Sequence, residues 1–371
     1  MSAGIYIHIP FCKSKCHYCD FYSVIGDSAG RIRFLNGLIE EIKIRADSPM
    51  AEQVCDSIYF GGGTPSILGA QAIGKIIDEI NRRFRIASDS EITIEANPEA
   101  VTENFFDNIR QSGANRLSIG IQSFEDEELR LLGRIHDSRM ARNAITAALK
   151  SGLDNISIDL IFGIPGQTLV SWERSLGAAV NYRPAHISAY GLTIEKGTPL
   201  ERLVISGKIK LPDESIQTTM YEMLVDVLMK SGYQRYEISN FALAGRESRH
   251  NLKYWLGEAY LGLGASAHSF DGLNRSANAR DLGEYLSKIK SGLLPIAFTE
   301  TLTGSQKVRE KMLLGLRLAR GVVAAKNDSA ISANMLQRLM DSGHVIIEDE
   351  QIRLTDSGFL VADEVIARLV N

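Results

Sequence analysis

The chain has 371 residues, a formal net charge of −4, 44% hydrophobic and 23% charged side chains. That length supports one large domain and a smaller one without disulfide staples, and the slightly acidic balance excludes a bulk electrostatic attraction to nucleic acid or anionic lipid. No apolar run reaches membrane-span length and no signal or transit peptide is visible, so a cytoplasmic protein is expected, with its four cysteines as ligands, catalytic groups or core residues before disulfides.

From residue 4 to about 190, short β-branched runs alternate with amphipathic helical patterns, the mark of βα units around a parallel sheet. Strands are expected at 5–9, 57–60, 91–95, 116–121, 155–161 and 186–190. Helix faces are expected at Ile32, Leu35, Ile39 and Ile42, at Ile73, Ile76, Ile77, Ile80 and Phe84, and at Leu169, Trp172, Leu176 and Val180. Six repeats are too few to close an eight-unit barrel, so the expected fold class is α/β, an open, partial (β/α)6 TIM-like barrel over 1–200 with ligands at the strand ends. Beyond it, a helix at 212–230 and a glycine- and aromatic-rich stretch at 236–278 suggest a separate covering layer over 201–300. Residues 301–371 suggest helices at 305–318 and 330–342, a hairpin turning at Asp349-Glu350 and a final helix from Asp356, an α+β order resembling a winged helix. Balanced charge there points to a structural or docking role and away from DNA.

Cys12, Cys16 and Cys19 follow the first strand with C-x3-C-x2-C spacing, so one tight loop can aim three sulfurs at one point. Three thiolates leave one iron of a [4Fe–4S] cluster open to the amine and carboxylate of S-adenosylmethionine (SAM). Structural zinc is the alternative, but it needs a fourth ligand, and His17 is constrained between two cysteines. Cys55 stands apart and is expected as a buried small hydrophobe. Gly61-Gly62-Gly63-Thr64-Pro65 follows the second strand and lets backbone N–H groups approach a charged ligand, although a tight βα turn also calls for glycine. Glu95 ends the third strand, ready to pair with a cationic amine or ribose hydroxyls, or to sit solvated.

The cysteine spacing resembles the radical SAM superfamily. Tyr6 through Cys12, with Cys19-Asp20-Phe21, resembles more narrowly the coproporphyrinogen III oxidase-like branch and its heme chaperone (HemW-type) members. The resemblance covers nearly the whole chain and implies a radical SAM barrel. It implies that Cys12, Cys16 and Cys19 hold the cluster, that Gly62, Gly63 and Thr64 contact the SAM amino group, and that Gln122, Arg134 and Asp159 hold its carboxylate, ribose and sulfonium, with Glu95 beside them as the candidate for the amine or the ribose hydroxyls. The planar Arg134 fork suits a bidentate carboxylate. Tyr6 and Tyr18 match aromatic positions lining cluster and adenine, with core packing as the alternative for each.

Two features separate the chain from the oxidases it resembles. Asp20-Phe21 stand where those enzymes carry a further cysteine, and no N-terminal extension precedes the first strand. His250, Asn251, Tyr254 and Trp255 match the His-Asn-x-x-Tyr-Trp motif of the heme chaperones, in which histidine can be an axial ligand and the aromatic pair can flank a porphyrin, or the pair can simply pack a second layer. His268 is a second candidate ligand or a core histidine. The resemblance thus implies a protein that binds the cluster, SAM and heme as cargo, and delivers heme to apoproteins, foremost respiratory membrane enzymes. Peripheral membrane contact and a homodimer stay open, and no nucleic-acid partner is expected. The alternative is an oxygen-independent coproporphyrinogen III oxidase or another SAM-radical enzyme.

Overall fold

Strands buried on both faces belong inside a parallel sheet, and β1 (Ala3–Ile9) buries all but Tyr6 of its seven residues. In the computed structural model, which describes residues 2–323 and 331–370, five more strands follow: β2 (Val54–Gly62), β3 (Arg85–Ala96), β4 (Arg116–Gln122), β5 (Ile156–Phe162) and β6 (His186–Gly191). They pair in parallel in chain order. The helices wrapping them are α1 (Ser28–Arg45), α2 (Ala70–Arg83), α3 (Glu103–Gln111), α4 (Asp126–Leu131), α5 (Ser138–Lys150), α6 (Leu169–Asn181), α7 (Pro199–Ile205) and α8 (Glu214–Lys230). The expected open (β/α)6 arc is therefore present.

The stretch expected as a separate layer instead extends this sheet at both edges. Past β6 lie β7 (Gln234–Glu237) and β8 (Asn240–Ala242); past β1 lie β9 (Tyr260–Leu263), β10 (His268–Phe270), β11 (Asn274–Asn278) and β12 (Ile296–Thr301). The twelve-stranded order is β12-β11-β10-β9-β1-β2-β3-β4-β5-β6-β8-β7. The glycines of this stretch serve backbone contact: a Cβ on Gly262 or Gly264 would strike the carbonyl oxygen of His268 or His8. Between β8 and β9 runs α9 (Arg249–Leu256), and between β11 and β12 runs α10 (Leu282–Lys290). The division at 200 and 300 is kept as a proposal, with the middle segment tied to the barrel by main-chain ladders.

One helix face differs from expectation. On α1 the buried residues are Phe34, Gly37, Leu38, Glu41, Ile42 and Arg45, whereas Ile32 is 59% exposed. Phe34 packs against Phe11 and Tyr285, which sets the helix phase. Two charges are buried with it. Glu41 accepts from Gly264 N–H, Asn278 Nδ2 and Tyr285 Oη, each at 2.7 Å, and lies 3.8 Å from Arg45 Nε, so α1, β9, β11 and α10 meet at one carboxylate. The faces of α2 and α6 agree better: Ile73, Ile76, Ile77 and Ile80 are buried with Phe84, as are Trp172 and Leu176, while Leu169 and Val180 are half-buried.

The C-terminal part comprises α11 (Gly304–Gly315), β13 (Val322–Val323), α12 (Ala333–Asp341), β14 (Val345–Glu348), β15 (Gln351–Leu354), α13 (Asp356–Leu360) and α14 (Ala362–Leu369). It has its own core around Met312, Leu339, Ile352, Phe359 and Ile366. The hairpin turns where expected, with Asp349 and Glu350 both at positive φ, as a two-residue turn matching strand twist requires. β13 was not expected, and the final helix is broken at Val361. Residue 330 of the expected 330–342 helix lies outside the described residues. A winged-helix identity for this part stays a proposal.

Removing the buried carboxylate in Glu41→Ala leaves Arg45 without its charged partner, holding only Asn278 Oδ1, and takes the acceptor from three donors. We expect a loss of about 3–5 kcal/mol in urea unfolding, read as a lower midpoint at unchanged slope; a loss below about 1 kcal/mol would mark the pair as solvated.

Candidate functional site

The thiol loop begins where β1 ends. Phe11 is buried, Cys12 N–H donates to Val24 O at 3.1 Å, and Val24 N–H donates to Pro10 O at 2.8 Å, so the chain folds back on itself around the cysteines. The end of β2 lies directly against this loop: Gly63 N–H donates to Ile9 O and Thr64 N–H to Phe11 O, both at 2.8 Å. A Cβ on Gly63 would sit 2.6 Å from the Phe11 oxygen, and one on Gly62, at φ 105°, 2.6 Å from the His8 ring. This corrects the reason for the glycine run. Its N–H groups were expected to face a ligand, but those of Gly63 and Thr64 hold the cysteine loop.

All three cysteines are free and open onto one cavity of about 480 Å³. Thr64 Oγ1 lies 3.5 Å from Cys12 Sγ, and Arg134 Nη1 lies 3.5 Å from Cys16 Sγ. Burial pushes the Cys19 thiol up to about 11 and the Cys16 thiol upward against the pull of Arg134. As bare thiols, Cys16 and Cys19 hold their protons at neutral pH; iron ligation takes thiolates, so binding releases protons. Among the described residues no three His, Cys, Asp or Glu side chains converge closely enough for a single metal ion. A four-iron cluster takes one thiolate per iron and accepts a wider set. His17 faces elsewhere, its N–H and Nδ1 on Leu132 O and Leu131 O at 2.9 Å. Cys55 is buried near the start of β2, away from the loop.

Most of the other expected residues line the same cavity: Tyr18, Gly62, Gly63, Thr64, Glu95, Gln122, Arg134, Asp159 and Asn251. Tyr18 packs on Leu132, Ile161 and Ile164. Gln122 holds φ 67°, a left-handed backbone that a non-glycine residue adopts at some cost, at the strand end facing the cavity. The Arg134 fork is already partly engaged, with Nη2 donating to Asn97 Oδ1 and Gly120 O at 2.8 Å. Asn97 in turn donates to Thr64 Oγ1 at 3.0 Å, so one amide joins the β2 and β4 sides. Asp159 accepts from Ser118 at 2.9 Å and Ser157 at 3.1 Å, and burial raises its carboxyl. Tyr6 does not line the cavity; it stacks on Tyr59 and His250 behind it.

Sequence reasoning passed over Tyr59, Arg116 and Ser118, all of which line the cavity. A signal was there. Polar residues recur at every second position of otherwise apolar strands: Ser57, Tyr59 and Gly61; Glu91, Thr93 and Glu95; Arg116, Ser118 and Gly120; Ser157 and Asp159. Period-two polarity marks the inward face.

The His-Asn-x-x-Tyr-Trp segment sits on α9 at the other end of the barrel. Glu91 accepts from the N–H groups of Arg249 and His250 at 3.1 and 3.2 Å, with Arg116 Nε 3.9 Å from the same carboxylate, and this docks the start of α9. His250 packs beside Gly4 and Ser57, near the first residues of β1 and β2, roughly 16 Å along β1 from the cysteine loop. Its ring is wholly buried, with Nδ1 3.0 Å from Ser57 Oγ and Nε2 3.0 Å from Tyr254 Oη. Burial lowers its pKa to about 3, so the ring is neutral. Both ring nitrogens are engaged by hydroxyls in this arrangement, so axial ligation of heme by His250 would require one of these contacts to open. Asn251 reaches the cavity, Tyr254 meets Tyr260 edge-on, and Trp255 is half-buried. His268 is exposed on β10 and is not a core histidine.

Burial raises the Glu95 carboxyl from 4.5 to about 7, against the Tyr59 and Gly62 hydrogen bonds. The folded chain therefore keeps a proton that the unfolded chain loses, and stability falls as pH rises across that window. Glu95→Gln removes this penalty. Its stability relative to wild type should climb between pH 4.5 and 7 and level off above it, by on the order of 1–3 kcal/mol in paired melts; a pH-independent difference would place the carboxyl in solvent.

Comparison with known proteins follows the same lines. Residues 6–179 match the family described as the radical SAM superfamily. The chain is 36% identical over 368 residues to the heme chaperone HemW of Bacillus subtilis, covering 97% of each, and 35% identical over 370 residues to that of Mycobacterium tuberculosis, covering 99% of this chain and 94% of the relative. The coproporphyrinogen III oxidase HemN from Escherichia coli superposes at TM-score 0.85 with 24% identity, over 99% of this chain and 89% of that one, which shows a common fold. With its three thiols at the end of β1 and its likeness sustained from end to end, the chain belongs to the HemW heme chaperone family of the radical SAM superfamily.

Proposed function

We propose that this chain holds a [4Fe–4S] cluster on Cys12, Cys16 and Cys19, binds SAM in the adjoining cavity, and carries heme as cargo to apoproteins. The observation that carries the reading is the opening of three free thiols onto the cavity that also gathers Glu95, Gln122, Arg134 and Asp159. The donor set fits: three thiolates leave one iron of a four-iron cluster without a protein ligand. When bound, the cluster supplies that open iron and one electron to SAM.

The residues around it do separate jobs. Arg134 places a cation between the Cys16 sulfur and the cavity, where it offsets thiolate charge and faces a carboxylate. Glu95 and Asp159 supply acceptors for an amine and for ribose hydroxyls, and Tyr18 supplies an aromatic face. Heme handling rests on the family likeness and on the α9 motif of His250, Asn251, Tyr254 and Trp255. Respiratory membrane enzymes are the acceptors this reading favours, with the chain meeting them at the membrane surface from the cytoplasm; among the described residues no helix is long and apolar enough to cross a membrane.

The deciding experiment loads the cluster anaerobically, adds SAM and reductant, and assays coproporphyrinogen III oxidation beside a heme titration. A chaperone gives no protoporphyrinogen and a saturable heme absorbance change; turnover without heme retention would reject it in favour of the oxidase. For the cluster itself, Cys16→Ser should abolish the brown chromophore and Cys55→Ser should keep it. Equal loss in both variants would overturn the three-ligand assignment.

A further inference from the structure

The His250 ring is enclosed by a built arrangement that neither the cluster nor a heme explains. On one face it stacks on Tyr59, with ring centroids 5.2 Å apart and planes at 26°; Tyr6 stacks on both, at 6.2 Å from each. Its two nitrogens are held by Ser57 and Tyr254. Tyr59 then carries the contact into the cavity, where its Oη donates to Glu95 Oε1 at 2.7 Å. Two glycines clear the space. A Cβ on Gly4 would lie 2.9 Å from His250 Nδ1, and a Cβ on Gly61 would lie 3.0 to 3.2 Å from Tyr59, Tyr6 and Glu95 at once.

We propose that His250 is a positioning residue for the cavity: clamped between Ser57 and Tyr254, it fixes the plane of Tyr59, and Tyr59 fixes the carboxylate of Glu95. A neutral imidazole suits the task, since it pairs with two hydroxyls and stacks on a phenol without bringing a charge into the buried stack. The consequence is a link between the two ends of the barrel. Any ligand that draws a His250 nitrogen away must release Ser57 or Tyr254 and disturb the carboxylate offered to SAM, and by linkage SAM then opposes that ligand equally.

Two readouts test this on the full chain. The first, which rests on the proposed SAM site, is SAM affinity of the cluster-loaded protein by equilibrium dialysis. His250→Ala and Tyr59→Phe should each weaken binding about tenfold, the double variant should be little worse than either, and His250→Phe, which restores a ring face, should recover part of the loss. The second needs no ligand: the Glu95 titration followed by carbon-13 NMR of labelled glutamate, assigned with Glu95→Gln. Tyr59, Asp159, Arg116 and the Gly62 N–H face this carboxyl, with Tyr6 and Tyr254 behind. Losing the phenol bond should move its midpoint upward in Tyr59→Phe, and His250→Ala should move it the same way. A wild-type midpoint in folded His250→Ala, or additive losses in the double variant, would overturn the relay. If SAM fails to bind wild type, the cofactor reading falls while the NMR arm still decides the relay.

Discussion

The arrangement depends on the contact between the end of β2 and the end of β1. Parallel pairing does not stop with the strands: Gly63 and Thr64 continue it by donating to Ile9 and Phe11, which lie within or just before the thiol loop. Only glycine permits this approach at residue 63, because a Cβ would overlap two carbonyl oxygens. The loop is thus held by main-chain bonds that cannot rotate away, and the three thiols inherit the rigidity of the sheet. Such support from regular elements is what a ligand set needs to keep its geometry.

Around that contact the barrel interior is unusually polar. Arg116, Glu91, Asp159 and Glu95 lie on adjacent strands, and burial dominates the shifts of both Asp159 and Glu95. The three acids have defined partners, Glu91 the first turn of α9, Asp159 two serines and Glu95 a tyrosine, whereas Arg116 lies 3.9 Å from Glu91 with its Nε and Nη1 making no hydrogen bond. In this barrel the network also carries α9, so the same charges that shape the cavity dock the segment bearing the heme motif.

The placement of that segment bears on the proposed handling of heme and SAM by one chain. The cysteine loop and α9 occupy opposite ends of β1, with the Tyr6, Tyr59 and His250 rings stacked between them. Packed aromatic stacks shift as units, because their interiors have no spare volume. In the proposed relay, this stack would transmit occupancy from one end to the other without a large movement. The exposed aromatic and aliphatic rim of Phe21, Ile135 and Tyr190 lies at the cavity mouth, on the cysteine side.

What the sequence by itself determined is local: the six β-branched runs, the C-x3-C-x2-C loop, the helix faces of α2 and the hairpin at Asp349-Glu350 depend on spacing along the chain, and spacing survives without coordinates. It also marked the cavity residues, through motifs and through the alternate polar positions of β2 to β5. Tertiary structure alone decided the rest. The phase of α1 turned on Phe34 and on a carboxylate whose partners come more than two hundred residues later. The glycine run proved to be a contact surface for the cysteine loop, because the atoms that forbid a Cβ belong to another strand. His250 stands at the foot of the barrel with both nitrogens engaged, since which face of α9 meets which strand is fixed by Glu91 and Arg116, and no local pattern reports a partner so distant in sequence.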